Sequence, residues 1–187
     1  VDIDMIAGPS DVLILADASA NPRWLAADLL AQAEHDPLAQ AILVTTEAAL
    51  IEQVQVELDL QLKELPRKDI AAAALESSGK LILVKDLTEA LTIANQIAPE
   101  HLELAVADPF ALLGQVENAG SVFLGHHTPE VLGDYFAGPN HTLPTEGTAR
   151  FYSPLSVDDF IKKSSYLYYP EAAMKAAGPA VALFAET

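Results

Sequence analysis

The sequence predicts an α/β protein with a mostly parallel sheet that is covered by helices on both faces. Short, continuously apolar runs are typical of strands that are buried on both sides. These runs alternate along the chain with stretches whose apolar residues recur at helical spacing. The connections between them are short, as in repeated strand–helix–strand units, so the strands are expected to run in one direction.

The predicted strands share an apolar run that is bounded by turn residues or helix caps. They are Asp11–Asp17, Ala41–Thr45, Lys80–Lys85, Leu102–Val106 and Ser121–Gly125. Alternating apolar and acidic residues in Val1–Ile6 predict an edge strand. Polar and apolar residues also alternate from His101 to Val106, which predicts that this strand is only half-buried.

The predicted helices lie between these strands and begin or end at capping or breaking residues. They are Pro22–Glu34, Thr46–Leu65, Ala71–Ser77, Asp86–Ile97 and Asp108–Asn118. Asn21 is a suitable N-cap for the first helix because proline follows it at the first helical position. Pro99 ends the fourth helix, since proline has no N–H and disfavours a helical conformation in the residue before it.

The predicted domain organisation divides the chain after residue 150. Residues 1–150 form the α/β segment, whose last part, residues 126–150, is rich in Gly, Pro, Thr and His and shows little periodicity. A loop of that length is functional or packs on a partner. Residues 151–187 form a helical extension with an aromatic run, Tyr166–Tyr169, and an Ala-rich helix from Glu171, which we expect to pack on a partner subunit.

The composition restricts the class of function. The 187 residues include 10 Lys and Arg against 27 Asp and Glu, a formal net charge of −17. This charge argues against nucleic acid or an anionic membrane as a partner and favours an acidic cytoplasmic protein. Cysteine is absent, which excludes disulfides, thiolate metal sites and a cysteine nucleophile. Apolar runs are all shorter than the roughly 20 residues of a membrane span.

A carboxylate and an imidazole lie side by side at a helix-to-strand corner, as Glu100 and His101. Histidine exchanges a proton near neutral pH, and a neighbouring carboxylate can orient its ring or activate water. A solvated corner explains the same pair, so its interpretation as an acid–base pair depends on the other polar residues.

Gln32 and His35 stand three residues apart near a predicted helix end, and therefore on one helical face. They are interpreted either as a polar helix end, where His35 interacts with the helix dipole, or as metal ligands. Asp134, which follows a glycine, caps a turn in the first interpretation and supplies an oxygen ligand in the second.

Three further histidines lie in the long loop. The adjacent His126 and His127 cannot both face one metal, so they are interpreted as surface residues, and the role of His141 is left open. The sequence contains neither a Gly-x-Gly-x-x-Gly motif after a strand nor a phosphate-binding P-loop.

Taken together, these stretches closely resemble the histidinol dehydrogenase family. The motifs occur in the family's order and extend from Ile6 to Phe151. They are Ile6–Ser10, Ala26–Asp36, Ala98–Glu103, Leu132–Tyr135, Ala137–His141 and Gly147–Phe151.

The resemblance implies a role for individual residues. Glu100 and His101 would be the acid–base pair. The implied zinc ligands are Gln32, His35 and Asp134. The implied substrate-binding residues are Ser10, Gln32, His35, His101 and Asp134.

The resemblance also implies a fold, a reaction and an assembly. The family's fold is an incomplete Rossmann-like sheet, similar to that of aldehyde dehydrogenases, and its members form intertwined homodimers. They use zinc and NAD to oxidise L-histidinol to L-histidine through the aldehyde histidinal, a step of histidine biosynthesis.

This chain resembles only the C-terminal half of the family's longer chain. The family's fourth zinc ligand, a histidine from the other subunit, and the half that carries most NAD contacts have no counterpart here. We therefore assign no NAD-binding residue and expect the isolated chain to show little dehydrogenase activity.

Two other interpretations remain. In the first, the chain is a non-catalytic assembly module whose last segment packs on a partner. In the second, it is a zinc hydrolase with Glu100 as base, although the sequence lacks the His-Glu-x-x-His helix motif of that class.

Overall fold

The computed structural model describes residues 7–186, so the expected edge strand at Val1–Ile6 lies outside the described residues. Five parallel strands form one sheet with the order β3-β2-β1-β4-β5. They are β1 (Asp11–Ala16), β2 (Gln40–Thr45), β3 (Lys80–Leu83), β4 (His101–Ala105) and β5 (Ser121–Leu124). The parallel sheet confirms the predicted α/β class, and its strand order is that of a Rossmann-type sheet without its last strand.

Seven α-helices lie within the described residues. They are α1 (Pro22–Ala33), α2 (Ala48–Leu62), α3 (Lys68–Ser78), α4 (Leu87–Ile97), α5 (Pro109–Leu113), α6 (Glu130–Tyr135) and α7 (Glu171–Ala185). Two short 3-10 helices cover Thr148–Arg150 and Val157–Phe160. The Asn21 side chain accepts a hydrogen bond from the Arg23 N–H, as its assignment as the N-cap of α1 predicts.

Helices cover both faces of the sheet. On one face, alternate β1 residues such as Val12 and Ile14 pack with α1, α2 and α3 in one apolar cluster. On the other face, Leu13 and Leu15 pack with α4 in a second cluster. This arrangement confirms the prediction of a doubly covered sheet and explains why the central strands are apolar throughout.

Three elements differ clearly from the sequence prediction, whereas the ends of the other predicted elements shift by at most three residues. All five residues of β4 are buried, so the prediction of a half-buried strand is wrong: its polar residues face the side that carries α1. Helix α5 ends at Leu113 rather than near Asn118. Helix α6 lies in the stretch for which no helix was predicted, where it is only six residues long and contains Gly133.

The chain divides into two compact units, residues 1–156 and 157–187. This boundary lies six residues after the one expected from the sequence, and the expected domain assignment stays a prediction. The second unit contains a 3-10 helix and α7, in which no residue is buried, and a Glu171–Lys175 ion pair of 2.6 Å lies along that helix. Between residues 7 and 186, no helix has both the length and the apolar character needed to cross a membrane.

Candidate active site

Two central strands bring together residues that are far apart in sequence. Strands β1 and β4 are parallel neighbours, with Val12 opposite His101. Ser10 and Asp11 at the start of β1 therefore lie beside Glu100 and His101 at the start of β4. These residues form the candidate site at the amino edge of the sheet. Ligands of Rossmann-type sheets bind at the opposite, carboxyl edge.

Reciprocal hydrogen bonds hold Glu100 against β1. The Asp11 N–H donates to Oε2 of Glu100 at 3.2 Å, and the Glu100 N–H donates to Oδ1 of Asp11 at 2.8 Å. The side chain of Ser10 also makes a hydrogen bond with the Glu100 carboxylate. Each of these three residues is thus fixed relative to the others before any ligand binds.

Burial changes the acidity of this corner. Glu100 is 6% exposed, and this burial raises the pKa of its carboxyl to about 7. The hydrogen bonds from Ser10 and Asp11 oppose the rise, and the negative charges of Asp11 and Asp134 add to it. A carboxyl with this pKa exchanges a proton near neutral pH, as a general base requires.

The geometry defines the tautomer of His101. Its Nδ1 lies 2.8 Å from the Asp11 carbonyl oxygen, which only accepts hydrogen bonds, so Nδ1 carries the hydrogen. The lone pair is therefore on Nε2, which lies 2.9 Å from Nε2 of His141. Burial lowers the pKa of His101 to about 4, while the bond to Asp11 opposes this shift. The ring is neutral at pH 7 and can accept a proton at Nε2.

Helix α6 places two carboxylates beside these rings. Asp134 Oδ1 lies 2.5 Å from Nε2 of His141, and Glu130 Oε1 lies 3.9 Å from Nε2 of His101. One potential ligand atom from each of these four residues lies within 4.8 Å of the others, a spacing that can hold a metal ion. Burial raises the pKa of Glu130 to about 8, and the charges of Asp134, Glu100 and Asp28 add to the rise.

Helix α1 ends near the same edge of the sheet with Gln32 and His35. Gln32 is fully buried, and neither amide atom has a hydrogen-bond partner among the described residues. The backbone N–H of His35 donates to the backbone carbonyl oxygen of Gln32 at 3.2 Å. The His35 ring is close enough for its charge to lower the pKa of His101. A buried amide without a partner indicates a polar ligand that residues 7–186 do not supply. Imidazole nitrogen and the Asp134 carboxylate are donors that fit zinc, and the amide oxygen of Gln32 is available as a third oxygen or nitrogen donor.

The structure thus brings Ser10, Glu100, His101 and Asp134 to one edge and places His35 near His101. His35 is not in the compact four-residue group, and it is exposed. The roles of the predicted residues as ligands or catalysts stay predictions.

The histidines that were interpreted as surface residues follow β5 at the carboxyl edge. His126 Nε2 lies 3.0 Å from the Ser19 hydroxyl oxygen. His127 is exposed and packs against the Trp24 ring. Neither residue belongs to the candidate site.

Sequence reasoning assigned no role to several buried polar residues in or beside this site. Asp11 stands at the start of an otherwise apolar strand, and Glu103 stands in the middle of another. A carboxylate in a strand that is predicted to be buried needs polar partners, and this could have marked both residues as candidates. Glu130 and His141 gave no comparable signal, because their proximity depends on the fold of residues 126–150.

The fold and the site together define an α/β protein of Rossmann type with a buried Glu–His pair and a polar cluster that suits a metal ion. Comparisons with known proteins agree with this class. The histidinol dehydrogenase family model matches residues 1–187. The chain belongs to this family.

Individual relatives give the extent of the similarity. The chain is 57% identical over 187 residues to histidinol dehydrogenase of Clostridium acetobutylicum and 56% identical over 186 residues to that of Geobacter sulfurreducens. It covers 43% of each of these proteins. The crystal structure of histidinol dehydrogenase from Elizabethkingia anophelis superposes with a TM-score of 0.94 at 44% identity. The match covers 100% of this chain and 43% of that one.

Proposed function

We propose that this chain is the catalytic part of a zinc- and NAD-dependent histidinol dehydrogenase, which oxidises L-histidinol to L-histidine through histidinal. One observation carries the proposal: Glu100 and His101 are buried beside each other, with His101 neutral and Glu100 close to half-ionised at pH 7. Family membership supplies the substrate class, and the chain's 43% coverage of its relatives makes the whole reaction a proposal.

His101 serves the first oxidation. Its Nε2 carries the lone pair and faces the polar cluster, so it accepts the proton of the substrate hydroxyl as the alcohol becomes an aldehyde. The Asp11 carbonyl holds Nδ1–H and keeps the ring in this tautomer.

Glu100 serves the second oxidation. Its carboxylate takes a proton from water while the water oxygen adds to the aldehyde carbon, and the hydrate is then oxidised to the acid. Ser10 and Asp11 orient the carboxylate for this step. This route needs no covalent thiol adduct, in agreement with the absence of cysteine.

The zinc site in this proposal consists of Gln32, His35 and Asp134, with Ser10 and His101 as further substrate contacts. Bound zinc supplies a positive charge that orients the amino alcohol, and NAD accepts the electron pair of each oxidation. The unpartnered amide of Gln32 supports the zinc site. No residue of this chain is assigned to NAD.

A homodimer in the cytoplasm completes the proposal. Exposed apolar side chains of the second unit support packing on another subunit: Tyr166 is 95% and Leu167 90% exposed. The same feature favours the second candidate function, in which the isolated chain is an assembly module without activity.

A segment exchange tests the catalytic assignment. Residues 1–187 replace the matching segment of the Clostridium acetobutylicum enzyme, and NADH formation from L-histidinol is measured. We expect the chimera to be active. His101→Asn or Glu100→Gln in it should lower kcat by about 100-fold or more with little change in KM, because each removes a proton acceptor.

His126→Asn is the matched control, since this histidine lies at the opposite edge of the sheet and should leave kcat unchanged. Full activity of both site variants, or steady activity of the isolated 187-residue chain, would contradict the assignment. An inactive chimera that binds zinc would favour the assembly module.

A further inference from the structure

A buried carboxyl group outside the acid–base pair connects the elements that carry the candidate ligands. Glu103 lies in the middle of β4, two residues after His101, so both side chains leave the same face of the strand. It is 4% exposed, and no cation is among the groups that shift its pKa. A carboxyl group in such a place needs hydrogen-bond partners to be tolerated.

Glu103 has a partner on each of two helices. Its Oε1 accepts the N–H of Glu130, the first residue of α6, at 2.9 Å. Its carboxyl is also hydrogen-bonded to the Asp28 carboxyl on α1. One side chain of the central sheet therefore joins α1 to the start of α6.

The two bonds reach the two helices that carry or precede the candidate ligands. Asp28 precedes Gln32 by one helical turn, and Glu130 precedes Asp134 by one turn. Residues four apart on a helix share a face. Any shift of α1 relative to α6 therefore changes the separation between Gln32 and Asp134.

The bond between Asp28 and Glu103 requires a proton. Two carboxylates repel each other, and one must be protonated to donate to the other. Burial raises the pKa of Asp28 to about 6 and that of Glu103 well above its ordinary range. The contact between Asp28 and Glu103 is therefore a hydrogen bond between two carboxyl groups and not an ion pair.

We propose that Glu103 is a positioning residue, whose bonds to Asp28 on α1 and to the Glu130 N–H on α6 set the separation between the end of α1, at Gln32 and His35, and Asp134 on α6. The inference rests on the proposed zinc site. Glu103 does not contact the metal or the substrate in this proposal and acts only through α1 and α6.

Two variants of the same position separate hydrogen bonding from side-chain volume. The amide of Glu103→Gln accepts the Glu130 N–H and donates to Asp28, as the protonated carboxyl does. Glu103→Met fills a similar volume and makes neither bond. Titration of the purified chain with Co²⁺ should give at least tenfold weaker binding for Glu103→Met and a dissociation constant within threefold of the unsubstituted chain for Glu103→Gln.

A second pair of variants applies if Glu103→Met does not fold. Asp28 is only half-buried, so Asp28→Ala is tolerated better and removes one of the two bonds. It should weaken Co²⁺ binding, whereas Asp28→Asn should not, because its amide donates to Glu103. Equal binding by the alanine and asparagine variants would overturn the proposal.

A metal-free measurement keeps the inference separate from the zinc site. The chain has no cysteine, so Ala27→Cys on α1 and Val131→Cys on α6 provide two unique positions for spin labels, and both residues are exposed. Electron paramagnetic resonance should show a single separation in the metal-free chain. Glu103→Met should broaden the distribution of distances between the two labels, and Glu103→Gln should leave this distribution unchanged.

The outcomes distinguish the two proposals. If His35→Ala weakens Co²⁺ binding and Glu103→Met does not, the zinc site stands and the positioning role is wrong. If His35→Ala has no effect while Glu103→Met broadens the separation, the zinc site is wrong and the helix-spacing role stands. An unchanged separation in Glu103→Met overturns the positioning role in either case.

Discussion

Burial moves the pKa values of two adjacent residues in opposite directions. A buried site disfavours the charged form of any group, so the pKa of Glu100 rises to about 7 and that of His101 falls to about 4. Both groups can then accept a proton at neutral pH. Neighbours in sequence thus become an uncharged imidazole and a carboxyl group that titrates near neutral pH.

Gly133 leaves room for the His141 ring. A Cβ at this position would lie 2.8 Å from Cε1 of His141 and 2.9 Å from Cε1 of Phe123. We expect Gly133→Ala to displace the His141 ring from Asp134 and to lower the free energy of unfolding by about 1–3 kcal/mol. Urea unfolding and the NMR signals of the His141 ring measure these two effects.

Gly114→Ala is the control for this prediction, because its added methyl group meets nothing within 4 Å. The steric explanation is wrong if both alanine variants unfold at the same urea concentration and leave the His141 signals unchanged.

At the scale of elements, α4 ends in a conformation that fixes the corner at Glu100 and His101. Ala98 has φ 55° and ψ 61°, is fully buried, and donates its N–H to the Ala94 carbonyl at 2.8 Å. This left-handed residue turns the chain so that Pro99 and Glu100 lead directly into β4. The sequence predicted the end of the helix at Pro99 but not the left-handed residue before it.

Ala98→Val should be among the more destabilising substitutions of this segment. A β-branched side chain is strongly disfavoured in the left-handed region, and the buried site has little space for two methyl groups. We expect a loss of at least about 2 kcal/mol in the free energy of unfolding. Ala98→Gly, which adopts this conformation readily, should stay within about 1 kcal/mol of the unsubstituted chain. Similar losses for valine and glycine would show that the backbone conformation is not the cause.

The elements that the sequence predicted well are those with one dominant signal. Buried parallel strands are continuous apolar runs, and the long helices carry breaking or capping residues at their ends. Helix α6 was missed because it is short, contains Gly133 and lies in a stretch without periodicity. The pattern at β4 was misleading because His101 and Glu103 look like a solvated face, whereas the hydrogen bonds of both side chains are satisfied inside the protein.

For the whole molecule, most of the fold followed from local pattern and only part of the site did. The resemblance supplied Gln32, His35 and Asp134, but no local signal brings them near Glu100. Their proximity results from strand order, which places β4 beside β1 rather than beside β3. The contacts of Glu103 and Glu130 likewise depend on where α1 and α6 lie against the sheet.

Stability of the metal-free chain should fall as the pH rises from 6.5 to 8. The pKa of Glu100 rises from 4.5 to about 7 on folding and that of Glu130 to about 8, so the folded chain binds more protons in this interval. Stability from a raised pKa is complete below the unfolded value and is lost as the pH passes the folded one. His101, whose pKa falls from 6.5 to about 4, acts oppositely, and its contribution fades as the pH rises above 6.5.

Urea unfolding at several pH values in the presence of a chelator measures the slope of the free energy of unfolding against pH. Each group adds at most about 1.4 kcal/mol per pH unit to this slope. Glu130→Gln should reduce the slope, and Glu117→Gln, at an exposed position, should not. A stability that is constant or rises over this range contradicts the predicted linkage.

The reciprocal bonds between Asp11 and Glu100 join positions 89 residues apart. Long-range pairing between parallel strands forms slowly compared with local helices. During synthesis, β1 therefore cannot pair with β4 until more than half of this segment has left the ribosome. The contact between Asp11 and Glu100 is therefore formed late, and a nascent chain that stalls before β4 exposes an apolar strand edge that invites aggregation or chaperone binding.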